Sequence, residues 1–360
     1  MVNLKKFYKN KRVLITGATG FKGAWLSLWL LKLGAKVTTV GFNPNKNKNL
    51  FYSLNLNKTT NLNLVDVRNK KKIGKIIKKN KIQIIFHLAA QPLIFESYLS
   101  PFATYEINTL GTLNILDLSI NIPHLKSVVC VTSDKCYKSN FSTKGFKETD
   151  QLGGEDPYSG SKACAEIIIN TYIKSFLKNN KKLGIASARA GNVIGGGDWS
   201  ANRLIPDLIQ SLFKNKTIII RNPSFNRPWQ HVMEPLYGYL ILAEKLYRDP
   251  KKYSGPWNFG TKKNTVTSVK DIALIMIKLW GKGKIKIKKN KKFYEQENLQ
   301  LNIKKAEKQL NWSPKYNIQE TLKLTIDWYK NILFGKKNPT TQTASQISDY
   351  LKKINLKNLN

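Results

Sequence analysis

Residues 11–17, KRVLITG, form a short β-branched apolar run that ends in glycine, and the helical pattern AWLSLWLLKLGA occupies residues 24–35. Between them GATGFKG sets Gly17, Gly20 and Gly23 at three-residue spacing. Strand, glycine turn and helix in this order restrict the fold more than any other stretch of the 360-residue chain. Glycine lets a backbone come close to a pyrophosphate, and a helix N-terminus offers free N–H groups at the positive end of its dipole. The turn therefore predicts a dinucleotide site at Gly17, Thr19, Gly20, Phe21, Lys22 and Gly23. The spacing is G-x-x-G-x-x-G, not the G-x-G-x-x-G of the better-known fingerprint.

Further strands follow in alternation with helical segments. KVTTVGF forms the second, NLNLVDV the third, IQIIFHLAAQ the fourth, and SVVCVTS and LGIASARA continue the series. That alternation predicts a doubly wound, Rossmann-like parallel α/β sheet with its ligands at the carboxyl ends of the strands. Asp66, with Val67 beside it, stands where an adenine amino group can be met, and Leu88, Ala89 and Ala90 allow a cofactor to lie across the strand tips. The second strand ends in Gly41, Phe42 and Asn43, with Lys46 and Lys48 beyond, so no acid is present to receive an adenosine ribose. The residues alone leave NAD and NADP open. The choice made is NAD, because the two lysines sit in a polar loop, NPNKNKNL, without evident anchoring.

Two short motifs supply the chemistry. Thr132-Ser133-Asp134-Lys135 falls at a strand end, and Tyr158-Ser159-Gly160-Ser161-Lys162 is a Y-x-x-x-K pair. On a helix, residues four apart share a face. The Lys162 ammonium is then expected to favour the phenolate of Tyr158 and lower its pKa, making it a general base. A dehydrogenase needs only that base. The additional acid, Asp134, and amine, Lys135, point to oxidation coupled to a proton-driven elimination.

TGATGFKG, HLAAQP, TSDKCY, YSGSK and RAGNVIGGGDW, in this order, resemble the extended short-chain dehydrogenase/reductase family. Within it, the resemblance is to the sugar-nucleotide 4,6-dehydratases and runs from about residue 8 to about residue 335. Two features point to the CDP-glucose branch. Asp134-Lys135 stands where dTDP-glucose enzymes typically carry Asp-Glu, and RPWQHVMEPLYGYL fills residues 227–240. The resemblance implies a hydro-lyase using NAD on CDP-glucose. C4 is oxidised to a ketone, which acidifies the C5 proton; water leaves across C5–C6, and the hydride returns to C6. It assigns Tyr158 as the base for the O4 proton, and Lys162 as the residue that holds the nicotinamide ribose. Thr132 hydrogen-bonds near O4, Asp134 is the acid for the departing hydroxyl, and Lys135 occupies the position of the C5 base. It also implies a homodimer, or a tetramer, built through a bundle of the segments near 101–120 and 158–178. A 4-epimerase would keep the tyrosine and lysine without needing an acid at Asp134. A non-catalytic NAD(P) sensor would not need Thr132, Tyr158 and Lys162 intact.

Residues 1–190 are read as the dinucleotide domain, with a return strand near 256–262. Residues 191–335 are read as an interleaved, smaller substrate domain, and 336–360 as a polar, loosely attached tail. By resemblance Ser133, Asn192, Arg203, Arg227 and His231 bind the sugar nucleotide. Arginine and amide donors suit a diphosphate, and Trp199 and Trp229 are candidates for a flat pyrimidine cleft, although a tryptophan is more often part of the core.

The net charge of +39 raises nucleic-acid binding as a reading. The lysines, however, are spread along the chain beside many asparagines and isoleucines, a pattern of A/T-rich codon usage. Weak adhesion to polyanions at low salt is expected, and no specific nucleic-acid partner. Cys130, Cys136 and Cys164 are unpatterned, which indicates reduced thiols. His87, His124 and His231 lie too far apart in sequence to suggest a metal site. The basic N-terminus runs straight into the first strand, and no apolar run reaches the roughly 20 residues a bilayer requires. The expectation is a cytoplasmic protein without a membrane partner.

Overall fold

The computed structural model describes residues 3–42, 49–138, 145–178, 182–220, 222–262, 267–288 and 299–356. Seven parallel strands form the central sheet: β1 (Arg12–Thr16), β2 (Lys36–Gly41), β3 (Asn61–Leu64), β4 (Ile84–His87), β5 (Ser127–Val131), β6 (Gly184–Arg189) and a return strand, Gly255–Asn258. Their order is β3, β2, β1, β4, β5, β6 and then the return strand. The chain reverses its winding between β1 and β4, where Thr16 pairs with His87, and a ligand crevice is expected outside those strand ends.

Adjacent residues on a strand point to opposite faces, and here both faces are apolar. Val13, Ile15, Phe86 and Val129 join a cluster under the helices Phe21–Lys32 and Met233–Arg248. Leu14, Ile85, Val128 and Ile185 join another with Ile73, Ile77, Ile115, Leu116 and Ile169. Those last five residues come from the helices Lys70–Lys79, Gly111–Ile120 and Pro157–Phe176. Continuous apolar strands of this kind are what a sheet covered on both sides requires.

Beyond β6 the chain builds a smaller lobe at the carboxyl ends of the strands. Its parts include the helices Leu204–Phe213, Val269–Trp280 and Ile318–Leu333 and three two-stranded ribbons, among them Asn226–Arg227 with Thr267–Ser268. The return strand pairs with β6 from Gly255↔Ala186 to Asn258↔Arg189, so the lobes share one sheet.

Both chain ends differ from expectation. A short helix, Leu4–Tyr8, precedes β1 and buries Leu4, Phe7 and Tyr8; the Tyr8 hydroxyl donates to Leu240 O at 2.8 Å. The C-terminal segment is not loosely attached. It forms the helix Pro339–Leu356, whose Ile347, Tyr350 and Ile354 are buried. Burial of each large apolar side chain contributes about 1.5–3 kcal/mol. Polar anchors add to this: Trp328 Nε1 donates to Thr343 Oγ1 at 2.9 Å, and Tyr350 donates to Glu234 Oε2 at 2.6 Å.

Among the described residues no helix is long and apolar enough to cross a membrane. Nor does any cluster of three or more His, Cys, Asp or Glu there suit a metal ion.

Candidate active site

A cleft of about 1150 Å³ opens at the switch point between the two lobes. The glycine turn forms its floor. A Cβ on Gly17 would stand 2.6 Å from Ala89 N, and one on Gly23 would stand 2.3 Å from Gly17 O. Gly17 also has φ +69°, a left-handed conformation in which glycine is unstrained. These two positions hold β1, β4 and the helix Phe21–Lys32 at backbone contact. Gly20 differs: beyond Gly17 O at 3.3 Å, a Cβ there would meet nothing within 4 Å. It caps a helix that has no side-chain cap and no acid in its first turn, so free N–H groups face the cleft. A dinucleotide diphosphate fits this cradle. Thr19, Phe21, Lys22, Val67, Leu88, Ala89 and Ala90 line the same wall.

β2 ends in glycine for a steric reason, since a Cβ on Gly41 would lie 2.4 Å from the Thr19 methyl carbon. Lys46 and Lys48 lie outside the described residues. Asp66 lines the cleft, but its carboxylate is held by Arg68, with Oδ2 2.7 Å from Nη2, and those hydrogen bonds lower its pKa.

The catalytic candidates form the opposite wall. Asp156 caps the helix Pro157–Phe176 by accepting from Ser159 N at 3.0 Å, and Pro157 fills its first turn. That cap places Tyr158 in the first turn, facing the cleft. Ser133 caps the short 3₁₀ turn Asp134–Cys136 and donates to Asp134 Oδ1 at 3.1 Å. Asp134 is 2% exposed, and its other oxygen, Oδ2, has no hydrogen-bond partner. Thr132, Ser133, Asp134, Lys135 and Tyr158 all line the cleft.

One electrostatic expectation changes. Burial pushes the Tyr158 phenol up to about 12; a hydrogen bond with Ser133 pulls it down, and the charge of Asp134 pushes it further up. These influences, not Lys162, dominate. That ammonium, buried behind the cleft wall, is itself lowered to about 8 by burial, while Glu166, one turn further along the helix, draws it upward. Thr132 has a protein partner as well: its hydroxyl donates to Glu166 Oε1 at 2.5 Å.

Lys22 belongs to the same field. Burial lowers it to about 7, the cations Lys162 and Arg203 add to the effect, and Asp134 opposes it. Uncapped helix N–H groups and three neighbouring cations describe a cleft made for anions.

On the smaller lobe, Asn192, Arg203 and Arg227 line the cleft. Arg203 is steadied by Asp198, Nη1 to Oδ2 at 3.1 Å, and Tyr329 donates to the carbonyl of Asp198 at 2.5 Å. Arg227 lies over the Phe225 ring at 5.2 Å. His231 is not brought to the site. It is fully buried between Trp25 and Tyr316, each 5.9 Å away ring to ring, and burial lowers its pKa to about 3. Trp229 lines the cleft, whereas Trp199 packs edge-on against Tyr329. Sequence reasoning missed Asp198, Glu166 and Gly191. Asp198 stands five residues before Arg203, and Glu166 repeats the Tyr158–Lys162 spacing once more, so both had a readable signal.

Comparison with known proteins agrees with this fold. The chain is 40% identical to a CDP-glucose 4,6-dehydratase of Salmonella typhimurium over 96% of its own length and 98% of that protein's. Solved structures of similar fold include a UDP-glucose 4-epimerase of Thermotoga maritima, with a TM-score of 0.77, 21% identity and 89% of this chain and 99% of that one covered. Another is a dTDP-glucose 4,6-dehydratase of Bacillus anthracis in complex with NAD, with a TM-score of 0.75, 24% identity and 89% and 97% covered. The family model described as GDP-mannose 4,6 dehydratase matches residues 14–325. With its glycine cradle, strand-tip acid and Tyr158 helix in one cleft, this chain belongs to that dehydratase family.

Proposed function

We propose that this protein is a hydro-lyase that converts CDP-glucose to CDP-4-dehydro-6-deoxyglucose and water, with NAD as its resident cofactor. The observation that carries the reading is the convergence of a base, Tyr158, and a separate buried acid, Asp134, on one wall of an anion-binding cleft. The relative that is similar over nearly the whole chain supports the substrate.

Gly17, Gly20, Gly23 and the N–H groups after Gly20 hold the dinucleotide diphosphate, and Lys162, buried one turn beyond Tyr158, is the candidate to hold its nicotinamide ribose. When bound, the cofactor supplies a hydride acceptor at C4 and returns the hydride to C6, with no net redox change. The chain's own residues manage protons. Tyr158 takes the proton of the 4-hydroxyl and, once protonated, donates a hydrogen bond to the ketone. Asp134 gives its proton to the departing C6 hydroxyl, which leaves as water. Lys135, half-buried at the end of the same wall, is the candidate for the C5 proton. Arg203, steadied by Asp198, and Arg227 and Asn192 hold the nucleotide diphosphate.

The functional unit is a homodimer. Leu99 (61% exposed), Phe102 (76%) and Ile167 (54%) are exposed apolar side chains on the helices before Gly111 and on the Tyr158 helix, which pack together. Apolar surface this exposed supports a protein contact.

The test is a parallel assay of CDP-glucose, dTDP-glucose and GDP-mannose for 4-keto-6-deoxy product, with NAD or NADP restored to cofactor-stripped protein. Preference for another nucleotide sugar, or tighter binding of NADP than of NAD, would overturn the corresponding part.

A further inference from the structure

Glu166 is buried at 2% exposure one turn beyond Lys162, and three donors converge on its carboxylate. Oε1 accepts the Thr132 hydroxyl at 2.5 Å, and Oε2 accepts the Ser187 hydroxyl at 2.8 Å and Arg189 Nη2 at 2.7 Å. Arg189 is itself pinned, donating through Nη1 to the Tyr137 hydroxyl at 2.7 Å and to Glu148 O at 3.1 Å. Tyr137 in turn donates to Asn258 Oδ1 on the return strand at 2.8 Å. A carboxylate paired with a guanidinium only accepts hydrogen bonds, and a threonine hydroxyl has one proton to give. Thr132 commits that proton to Glu166, which leaves its oxygen, in a residue that lines the cleft, able only to accept.

We propose that Glu166 is a positioning residue that makes Thr132 a hydrogen-bond acceptor toward the substrate, so that Thr132 receives a sugar hydroxyl and never donates to a sugar oxygen. The inference rests on the placement of the 4-hydroxyl against Thr132 and Tyr158 in the function proposed above. Its chemical consequence is a division of labour. Thr132 holds the 4-hydroxyl by that group's proton until Tyr158 takes it, and the resulting ketone, which accepts only, is met by Tyr158 alone. Thr132 therefore favours the alcohol over the ketone.

The test compares CDP-glucose with its 4-deoxy-4-fluoro analogue, whose fluorine cannot donate. Binding is measured by calorimetry to protein loaded with the reduced dinucleotide, so that no oxidation occurs. The wild-type protein is expected to bind the analogue about tenfold or more weakly, the cost of a buried acceptor left unpaired. In Thr132→Val this ratio falls to within about threefold. In Glu166→Gln the amide carbonyl is drawn to Arg189 and Ser187, which turns the amide N–H₂ toward Thr132. Thr132 then accepts from residue 166 and points its own proton into the cleft, so the ratio falls by about fivefold or more. A merely structural role would weaken both ligands together and leave the ratio unchanged. A ratio that falls in Thr132→Val but keeps its wild-type value in folded Glu166→Gln overturns the role of Glu166. A ratio unchanged in Thr132→Val overturns the placement of the sugar, and this role with it. If Glu166→Gln does not fold, the wild-type ratio decides: a value near one shows a donating Thr132 and overturns the proposal, and a high value abolished in Thr132→Val supports it.

Discussion

The carboxylate of Asp134 occupies the space where residue 191 would carry a side chain: a Cβ on Gly191 would lie 1.7 Å from Asp134 Oδ2. Glycine at 191 is thus a condition for the acid to reach its position beside the Tyr158 helix. Gly191→Ala is expected to fold, with the acid displaced. Dehydration should slow by about 10²-fold or more, since general acid catalysis contributes on that scale. Asp134→Asn, which keeps the shape and loses the proton, should show the same pattern. In a single turnover both variants accumulate reduced nicotinamide, followed by its absorbance, while the 6-deoxy product lags. Wild-type product formation in Gly191→Ala would show that the acid acts from elsewhere.

Tyr158 acts as a base only when deprotonated, and burial raises its pKa to about 12. The sign follows directly. Below that value each pH unit increases the phenolate fraction about tenfold, so the rate of the first hydride transfer climbs with pH across the neutral range. Tyr158→Phe should lose on the order of 10²–10⁴ of that rate and the pH dependence with it. Stopped-flow absorbance from pH 6 to 9 measures both, and a flat wild-type profile would remove the tyrosine from this role.

The difference between the expected and observed state of Tyr158 shows where sequence reasoning stops. Spacing put Lys162 on the same helix face, and the helix Pro157–Phe176 does carry both residues. Spacing could not say that the wall is dry enough for burial to raise the phenol and to lower Lys162 itself. The glycine turn was readable because its three glycines fall at fixed spacing between a strand and a helix, even though the contact of Gly17 with Ala89 lies far along the chain. His231 misled because its neighbours in space, Trp25 and Tyr316, are remote in sequence. The C-terminal helix was legible in principle. Gln342, Thr343, Gln346, Ile347, Tyr350 and Ile354 are buried at helical spacing, but half of that stripe is polar and reads as a solvated tail.

The proposed dimer gives a direct measurement. Phe102 and Ile167 are exposed at 76% and 54% on neighbouring helices, a face that costs free energy in water and is relieved by a second copy. Light scattering at micromolar concentration should give twice the 41.1 kDa chain mass, or four times it. Phe102→Asp should shift the equilibrium toward monomer without lowering the melting temperature of the isolated chain. A monomeric wild-type mass would end the proposal.

Glu234 anchors the C-terminal helix and makes its docking pH-dependent. The buried carboxylate accepts from Lys315 N and Tyr316 N, each at 2.8 Å, and from the Tyr350 hydroxyl, while the backbone carbonyl of Glu234 accepts from Trp312 Nε1. Burial raises its pKa to about 7, and those three donors hold it from going higher. A raised carboxyl pKa means the folded protein retains a proton that the unfolded chain has released. The associated stability is full below the unfolded value near 4.3 and is lost as pH rises through about 7. Tyr350→Phe removes a donor to the ionised form, so it should cost about 1.5–3 kcal/mol at pH 8 and less at pH 5, where Glu234 is protonated. Urea unfolding of the two proteins at both pH values tests the sign: an equal loss at pH 5 and 8 would mean that the hydroxyl's bond does not depend on the charge of Glu234 and that Glu234 does not titrate in this range.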